Sequence, residues 1–343
     1  MTTTTHATEH DNLRHWDDAA RGVYEVWYLT WNDPRTDQGF WLRYITEAPT
    51  DGGPLRGELW FARFDPRDAK RTFGVHRRFA ASAVSSTATP FEIAIAGSTL
   101  LHDRAHGMLE GDGHAIKWNL SWRPAAHTLR LLPGLMYVAD GRAETTVQSP
   151  NPRVAMSGTL EIDGERISLE GVTMGQSHVW GKKHAYNWAW GHCADFPGAP
   201  DALLELLGVR LRRGGVTLPP MFLLALDLDG ERIRLNQFRH VAVNRASWGH
   251  GKVEWVARSP TVRVEGELTC AAHQMVNAPY VDPDGTRLYC ANTEIGDARV
   301  VVWKRGLLGW REHRRLVAPR RAHFELGTRE RDASIDRPHV LVE

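Results

Sequence analysis

Apolar and polar side chains alternate with a period of two along most of the chain, the pattern of strands with one covered face. The clearest case is Ala115–Arg123, where Ile116, Trp118, Leu120 and Trp122 point one way and Lys117, Asn119, Ser121 and Arg123 the other. Val23–Trp31 (VYEVWYLTW) is apolar on both faces and predicts a strand covered on both sides. Phe40–Thr46 returns after a polar loop as its hairpin partner, and Gly57–Asp65 is a third strand. Asp-Gly pairs at 51–52, 112–113, 140–141, 163–164, 229–230 and 284–285 punctuate the pattern. That dipeptide tolerates the positive φ angles of a tight hairpin turn, so the chain reads as an antiparallel meander. Pro200–Gly215 is ambiguous between helix and strand; the alternation of Glu205, Leu207, Val209 and Leu211 favours strand.

The expected fold is therefore all-β, and 343 residues suit two antiparallel β barrels better than one sheet. The expected divisions are a disordered tail over 1–15, barrels over 16–171 and 172–326, and a terminal strand or loose tail over 327–343. LEIDGERISL (Leu160–Leu169) and LDLDGERIRL (Leu226–Leu235) are alike, either as an internal duplication or as two hairpins sharing one turn.

Composition adds chemistry to this frame. With 42 Lys+Arg against 41 Asp+Glu, the net charge of +1 offers no general attraction to nucleic acid. A local basic run, Lys304–Arg321, reads chiefly as a solvated strand face and allows at most peripheral membrane contact. Three widely spaced cysteines, Cys193, Cys270 and Cys290, predict reduced thiols and a cytoplasmic setting. No apolar run approaches the roughly 20 residues of a membrane-spanning helix. Phosphate-loop, dinucleotide, nucleophile-elbow and H-E-x-x-H motifs are absent from the sequence.

The unusual residue is tryptophan, with 14 copies. Three of them fall in Met174–Cys193, MGQSHVWGKKHAYNWAWGHC, together with His178, His184 and His192. A period of two puts Tyr186, Trp188, Trp190 and His192 on one strand face. The three histidines invite a metal reading, but their spacing fits no zinc pattern and no carboxylate adjoins them, so no metal or other cofactor is expected. An aromatic wall also suits a hydrophobic ligand, and ring faces stabilise a passing cation by roughly 0.5–2 kcal/mol each. Such chemistry needs an acid whose pKa burial has raised, and Glu205, alone in an apolar run, is the candidate. His178 and His192 are the candidates to exchange the proton with it.

His178-Val179-Trp180-Gly181 followed by Trp188-Ala189-Trp190 resembles the superfamily of carotenoid hydratases, tocopherol cyclases and lipocalin-like Diels–Alderases. Tyr24–Trp31, Gly39–Tyr44 and Tyr289–Glu294 are compatible with its layout. The resemblance implies two lipocalin-like barrels with a pocket near their interface, and hydration, cyclisation or ring closure of isoprenoid or polyketide chains without a cofactor. It places the hydratases' functional His and Trp on His178 and Trp180. The Tyr and Asp it expects two residues apart on the next strand are missing from LLELLGVRL, which offers only Glu205.

The expected function is thus binding of a hydrophobic isoprenoid- or polyketide-like molecule by a cofactor-independent cyclase, hydratase or isomerase. His178, Glu205 and His192 are its expected catalytic groups; Trp180, Tyr186, Trp188, Trp190, Trp27 and Trp118 are its expected binding surface. The alternatives are a non-catalytic lipid or isoprenoid carrier and a wall that serves only to pack one barrel on the other.

Overall fold

The computed structural model describes residues 8–17, 19–138, 144–330 and 339–342. Strands dominate it, as the alternation predicts, in two large antiparallel sheets linked by one short parallel strand, beside a separate two-stranded hairpin at Arg212–Arg213 and Val216–Thr217. In the first sheet Val23–Asp33 lies between Gln38–Ala48 and Glu165–Gly181. The sheet continues on one side through Arg56–Phe64 and Phe73–Ala80, and on the other through Thr145–Ile162, His114–Trp122 and Arg104–Gly111. It curls into a nearly closed barrel around Trp27, Trp31, Phe40, Tyr44, Phe61 and Trp118. In the second sheet Asn187–Cys193 lies between Leu203–Arg210 and Gly309–Thr328. This half-barrel packs around Leu204, Leu206, Phe222, Trp255 and Phe324.

Local chemistry explains the hairpins. Asp112-Gly113, Asp163-Gly164 and Asp229-Gly230 all have positive φ at both residues (47°/78°, 53°/83° and 51°/77°), as a type I′ turn requires. The two look-alike segments are the second and third of these hairpins. Asp140-Gly141 lies outside the described residues. Leu203–Arg210 is a strand, and its leucines serve two layers: Leu204 and Leu206 enter the second core, while Leu203 packs beneath Leu129 and Leu131.

Two of the expected divisions are displaced. The passage between sheets falls at 182–186, and Gly171 sits inside Glu165–Gly181. Of the expected N-terminal tail, residues 1–7 lie outside the described residues, whereas Thr8, Glu9 and Asn12 are buried. Polar composition concealed their role, because here it satisfies buried polar groups. Thr8 and Asn12 bond the two nitrogens of His102 at 2.9 and 2.8 Å, and Glu9 accepts the Phe91 N–H at 2.8 Å. At the C-terminus the strand Gly309–Thr328 passes the expected limit of 326, and 331–338 lie outside the described residues. The backbone of His339–Val342 pairs in parallel with both sheets, at Val276–Asn277 and at Gly74–Val75.

A third cluster lies between the sheets: Tyr28, Trp41, Ile45, Trp60, Trp188, Trp190, Tyr280 and Cys290. Val23–Asp33 is buried on both faces because it serves two cores. Trp27, Leu29 and Trp31 fill the barrel while Tyr28 faces the second sheet. Two glycines set the close approach. A Cβ on Gly39 would lie 2.5 Å from the Glu294 backbone oxygen, and one on Gly175 would lie 2.7 Å from Cε1 of His192.

Candidate functional site

The layer between the sheets opens into a small cleft with an interior volume of ≈ 80 Å³. Rings of Tyr24, Tyr28, Trp60, His184 and Tyr280 form its walls, with Val26, Ile45 and Val179 between them. Small-molecule sites are lined in this way, with rings and aliphatic side chains and a few placed polar groups.

His184 is the best-placed of those polar groups. It follows Gly181-Lys182-Lys183, the crossing from one sheet to the other, and so hangs over the cleft from neither sheet. Its Nδ1 lies 2.7 Å from Oδ1 of Asp282, and its backbone N–H donates to the same oxygen at 3.0 Å. The second Asp282 oxygen accepts from Arg329 at 2.7 Å, and Arg329 also donates to the His184 carbonyl at 2.9 Å. Burial alone would raise the Asp282 carboxyl, but the hydrogen bond and charge of His184, with the Arg329 bond, hold it below its usual value. A carboxylate at Nδ1 fixes the proton there and leaves Nε2 as the working nitrogen. Nε2 makes no hydrogen bond among the described residues, and the ring is 21% exposed. Tyr24 stacks on one face of that ring at 4.5 Å, and Trp188 lies 5.3 Å away.

Two further groups face the same space. The Tyr28 hydroxyl has no partner among the described residues, and desolvation followed by the Glu325 charge pushes it well above its ordinary pKa, so it stays a phenol. Arg43 donates one nitrogen to Glu325 at 3.0 Å and Asn292 at 3.1 Å, with its guanidinium 4.4 Å from the Trp41 ring centre and 5.0 Å from that of Tyr28. Its Nε is buried without a partner among the described residues. Glu58, at the rim, accepts from Arg78 and from the Trp60 indole, both at 2.7 Å.

The residues singled out by sequence are distributed differently. His178 points into the first barrel, stacked on Trp27 at 4.9 Å. Its Nδ1 reaches the Asp11 carbonyl at 2.8 Å and its Nε2 reaches Glu25 at 2.7 Å, so neither nitrogen is open. Glu205 lies on the opposite side of that sheet. Ser177, the neighbour of His178 and therefore on the other face, bonds Ser149, which donates to Glu205 at 3.0 Å. His178 and Glu205 cannot exchange a proton directly. Burial raises the Glu205 carboxyl to about 7, as an acid in this setting requires, with the Ser149 and Trp190 bonds pulling the other way. It is sealed from the cleft behind Tyr28 and Trp190.

His192 does share a face with Trp188 and Trp190, against the first sheet. Its Nε2 bonds the Pro152 carbonyl at 2.8 Å, and burial lowers it to about 4, so it is neutral. Beside it His323, Thr30, Glu294 and Asn32 form a buried chain that joins the sheets: His323 meets Thr30 at 2.5 Å and Asn32 at 2.6 Å, and Thr30 donates to Glu294. Trp188 donates to Glu325 at 3.0 Å and backs the cleft. Trp27 and Trp118 are in the packed interior of the first barrel, Trp180 lies against His15, and Tyr186 is on the outside under Arg212. His178, His184 and His192 do not converge, and no group of three metal-ligating side chains occurs among the described residues.

Comparison with known proteins gives this arrangement its relatives. The family model described as Tocopherol cyclase-like matches residues 138–328, more than half the chain. The chain belongs to the Tocopherol cyclase-like family. An uncharacterised Mycobacterium tuberculosis protein is 28% identical over 292 residues, covering 84% of this chain and 83% of that one. The Zea mays tocopherol cyclase is 21% identical over 341 residues, covering 85% and 71%. In fold the chain is similar to a putative AttH of Nitrosomonas europaea (TM-score 0.54, 12% identity, covering 88% and 91%). It is also similar to the kievitone hydratase of Nectria haematococca (TM-score 0.52, 8% identity, 94% of each chain). Within this Tocopherol cyclase-like chain the matched segment carries His184, Asp282 and Glu325, while Tyr28 and Arg43 come from the strands before it.

Proposed function

We propose that the chain binds a hydrophobic isoprenoid- or polyketide-like molecule in the cleft between its sheets and isomerises, cyclises or hydrates it by proton transfer through His184. The observation that carries this reading is an imidazole on the wall of a ring-lined cleft, held at Nδ1 by a buried carboxylate and with no hydrogen bond at Nε2 among the described residues. Such an imidazole takes a proton in one step and returns it in the next. The faces of Tyr24, Trp60 and Tyr280 would stabilise positive charge as it develops on the chain. Tyr28 would donate to an oxygen of the substrate, and Arg43 would hold Glu325 and the Trp188 indole in place.

Family membership favours ring closure, since the plant relatives are named tocopherol cyclases. For a prenylated hydroquinone the balance is simple. A proton adds to one alkene carbon, the phenol oxygen bonds the other, and the phenol proton leaves, so the product is an isomer. The test is incubation of the protein with a prenylated hydroquinone in D2O. The expected product has the substrate's formula with one hydrogen replaced by deuterium, carried on the protonated alkene carbon, and His184→Gln does not form it. Tight binding of the hydroquinone without conversion by the unaltered protein overturns catalysis and favours the carrier.

A further inference from the structure

The hairpin formed by Arg287–Gly306 and Gly309–Thr328 ends in Gly306-Leu307-Leu308-Gly309. Leu307 is 107% exposed and Leu308 86%, more than any other large hydrophobic residue among those described. The rest of the chain shows how unusual this is, because three of its other hairpin tips are Asp-Gly. The backbone does not demand leucine either. Neither leucine has a positive φ, and the turn closes with Gly309 at φ 108°. Two adjacent leucines held in water at the end of a long rigid hairpin gain nothing for the fold.

Their surroundings identify what would cover them. Directly behind the tip Lys304 pairs with Arg311, and Arg305 with Trp310, across the hairpin. Three cations therefore ring two leucines, and Trp310 is itself 36% exposed. Lys304 has one acidic neighbour, Glu231 at 2.6 Å, and Glu312 is engaged by Arg315 at 2.8 Å. Apolar side chains at the point, a tryptophan at the collar and basic residues around it match the layers of an anionic bilayer surface: acyl chains, interface and headgroups. A protein partner would instead offer an apolar pocket, and would have no use for the cationic ring unless that pocket were acidic.

We propose that this tip is a membrane-docking finger, inserting Leu307 and Leu308 among the acyl chains of an anionic leaflet while Lys304, Arg305 and Arg311 lie at its headgroups. It rests on exposure and charge at the tip alone and stands whether or not the cleft is catalytic. The test is sedimentation of the protein with vesicles of phosphatidylcholine containing about 30% phosphatidylglycerol, and with phosphatidylcholine alone. Binding to the anionic vesicles that weakens with salt is expected. The double variant Leu307→Ser/Leu308→Ser should lose at least about tenfold in partition, because the inserted apolar surface is gone. Lys304→Gln/Arg305→Gln/Arg311→Gln should lose binding selectively on the anionic vesicles. All these positions are at the surface, so unchanged melting temperatures confirm that the variants fold. No binding by the parent protein, or equal binding by the leucine variant, overturns the proposal. So does a concentration-dependent dimer that the leucine variant dissolves, which would assign the tip to a second copy of the chain.

Discussion

His178 and His184 stand six residues apart, and each meets a buried carboxylate at 2.7 Å, Glu25 for one and Asp282 for the other. Their difference is what the second nitrogen does. In His178 it reaches the Asp11 carbonyl, and Glu25 is enclosed by further donors from His15 and Trp16. That histidine fastens the N-terminal segment over the end of the first barrel. In His184, a residue of the cleft wall, the second nitrogen makes no hydrogen bond among the described residues. Two side chains of the same type with the same kind of partner thus have opposite uses, and access decides between them.

The largest expected effect separates them by kinetics. His184→Gln keeps a donor for Asp282 but removes the base, and turnover should fall by about 10²- to 10⁴-fold with little change in melting temperature. His178→Gln should leave turnover per folded molecule close to that of the parent. The comparison breaks if steady-state rates show the reverse order.

Stability should then separate them the other way. Glu25→Gln leaves His178 facing a neutral partner in a site where both groups are almost wholly buried. Breaking such a pair from one side costs about 3–5 kcal/mol, readable as a shift of the urea midpoint. His184 is partly exposed, and its replacement by Gln should cost no more than about 1 kcal/mol in the same titration.

Much of this frame was legible in the chain. Period-two alternation gave the strand with Trp118 and Trp122 inward, and the Asp-Gly pairs gave three hairpin turns at positive φ. The nine residues Val23–Trp31, apolar on both faces, foretold that something packs on each side of Val23–Asp33. The raised acid at Glu205 was also foreseeable, since a lone carboxyl in an apolar run must be desolvated or exposed. What local pattern could not give was the pairing. Asp282 is 98 residues after His184, and Tyr28 and Arg43 belong to the first sheet. His178 looked catalytic because H-x-W-G marks it, yet the partner that closes it, Asp11, sits in a segment whose composition reads as solvent-loving. The same polar residues that suggest a loose tail are the ones needed to satisfy buried donors.

Glu205 sharpens the contrast between closed and open sites through pH. Its carboxyl is raised to about 7 in the folded chain, against 4.5 for the free group, by burial before any other cause. The folded state therefore holds this proton more tightly than the unfolded state. Its contribution is fully present below pH 4.5 and is lost as pH rises through 7, amounting to about 3 kcal/mol across that window. His192 works in the opposite sense. Lowered from 6.5 to about 4, it contributes stability above pH 6.5 that is lost as pH falls through 4. Glu205→Gln should flatten the alkaline loss in a series of melts from pH 4 to 8 and leave the acid limb in place. A melting profile unaltered by the substitution would mean that Glu205 is not protonated in the fold.

The smallest expected effect tests the same distinction on two phenols of one strand. Tyr24 donates its hydroxyl to Thr145 at 2.9 Å, because Thr145 spends its own proton on the Lys183 carbonyl at 2.6 Å. Tyr28 has a hydroxyl with no partner among the described residues, on the wall of the cleft. Tyr24→Phe should cost about 1 kcal/mol of stability and leave the rate little changed. Tyr28→Phe should cost no stability, since no hydrogen bond is lost, and should slow turnover by about tenfold if its hydroxyl meets an oxygen of the substrate. Equal losses of stability in the two variants would place the Tyr28 hydroxyl in a closed site like that of His178, and the cleft would then present His184 alone.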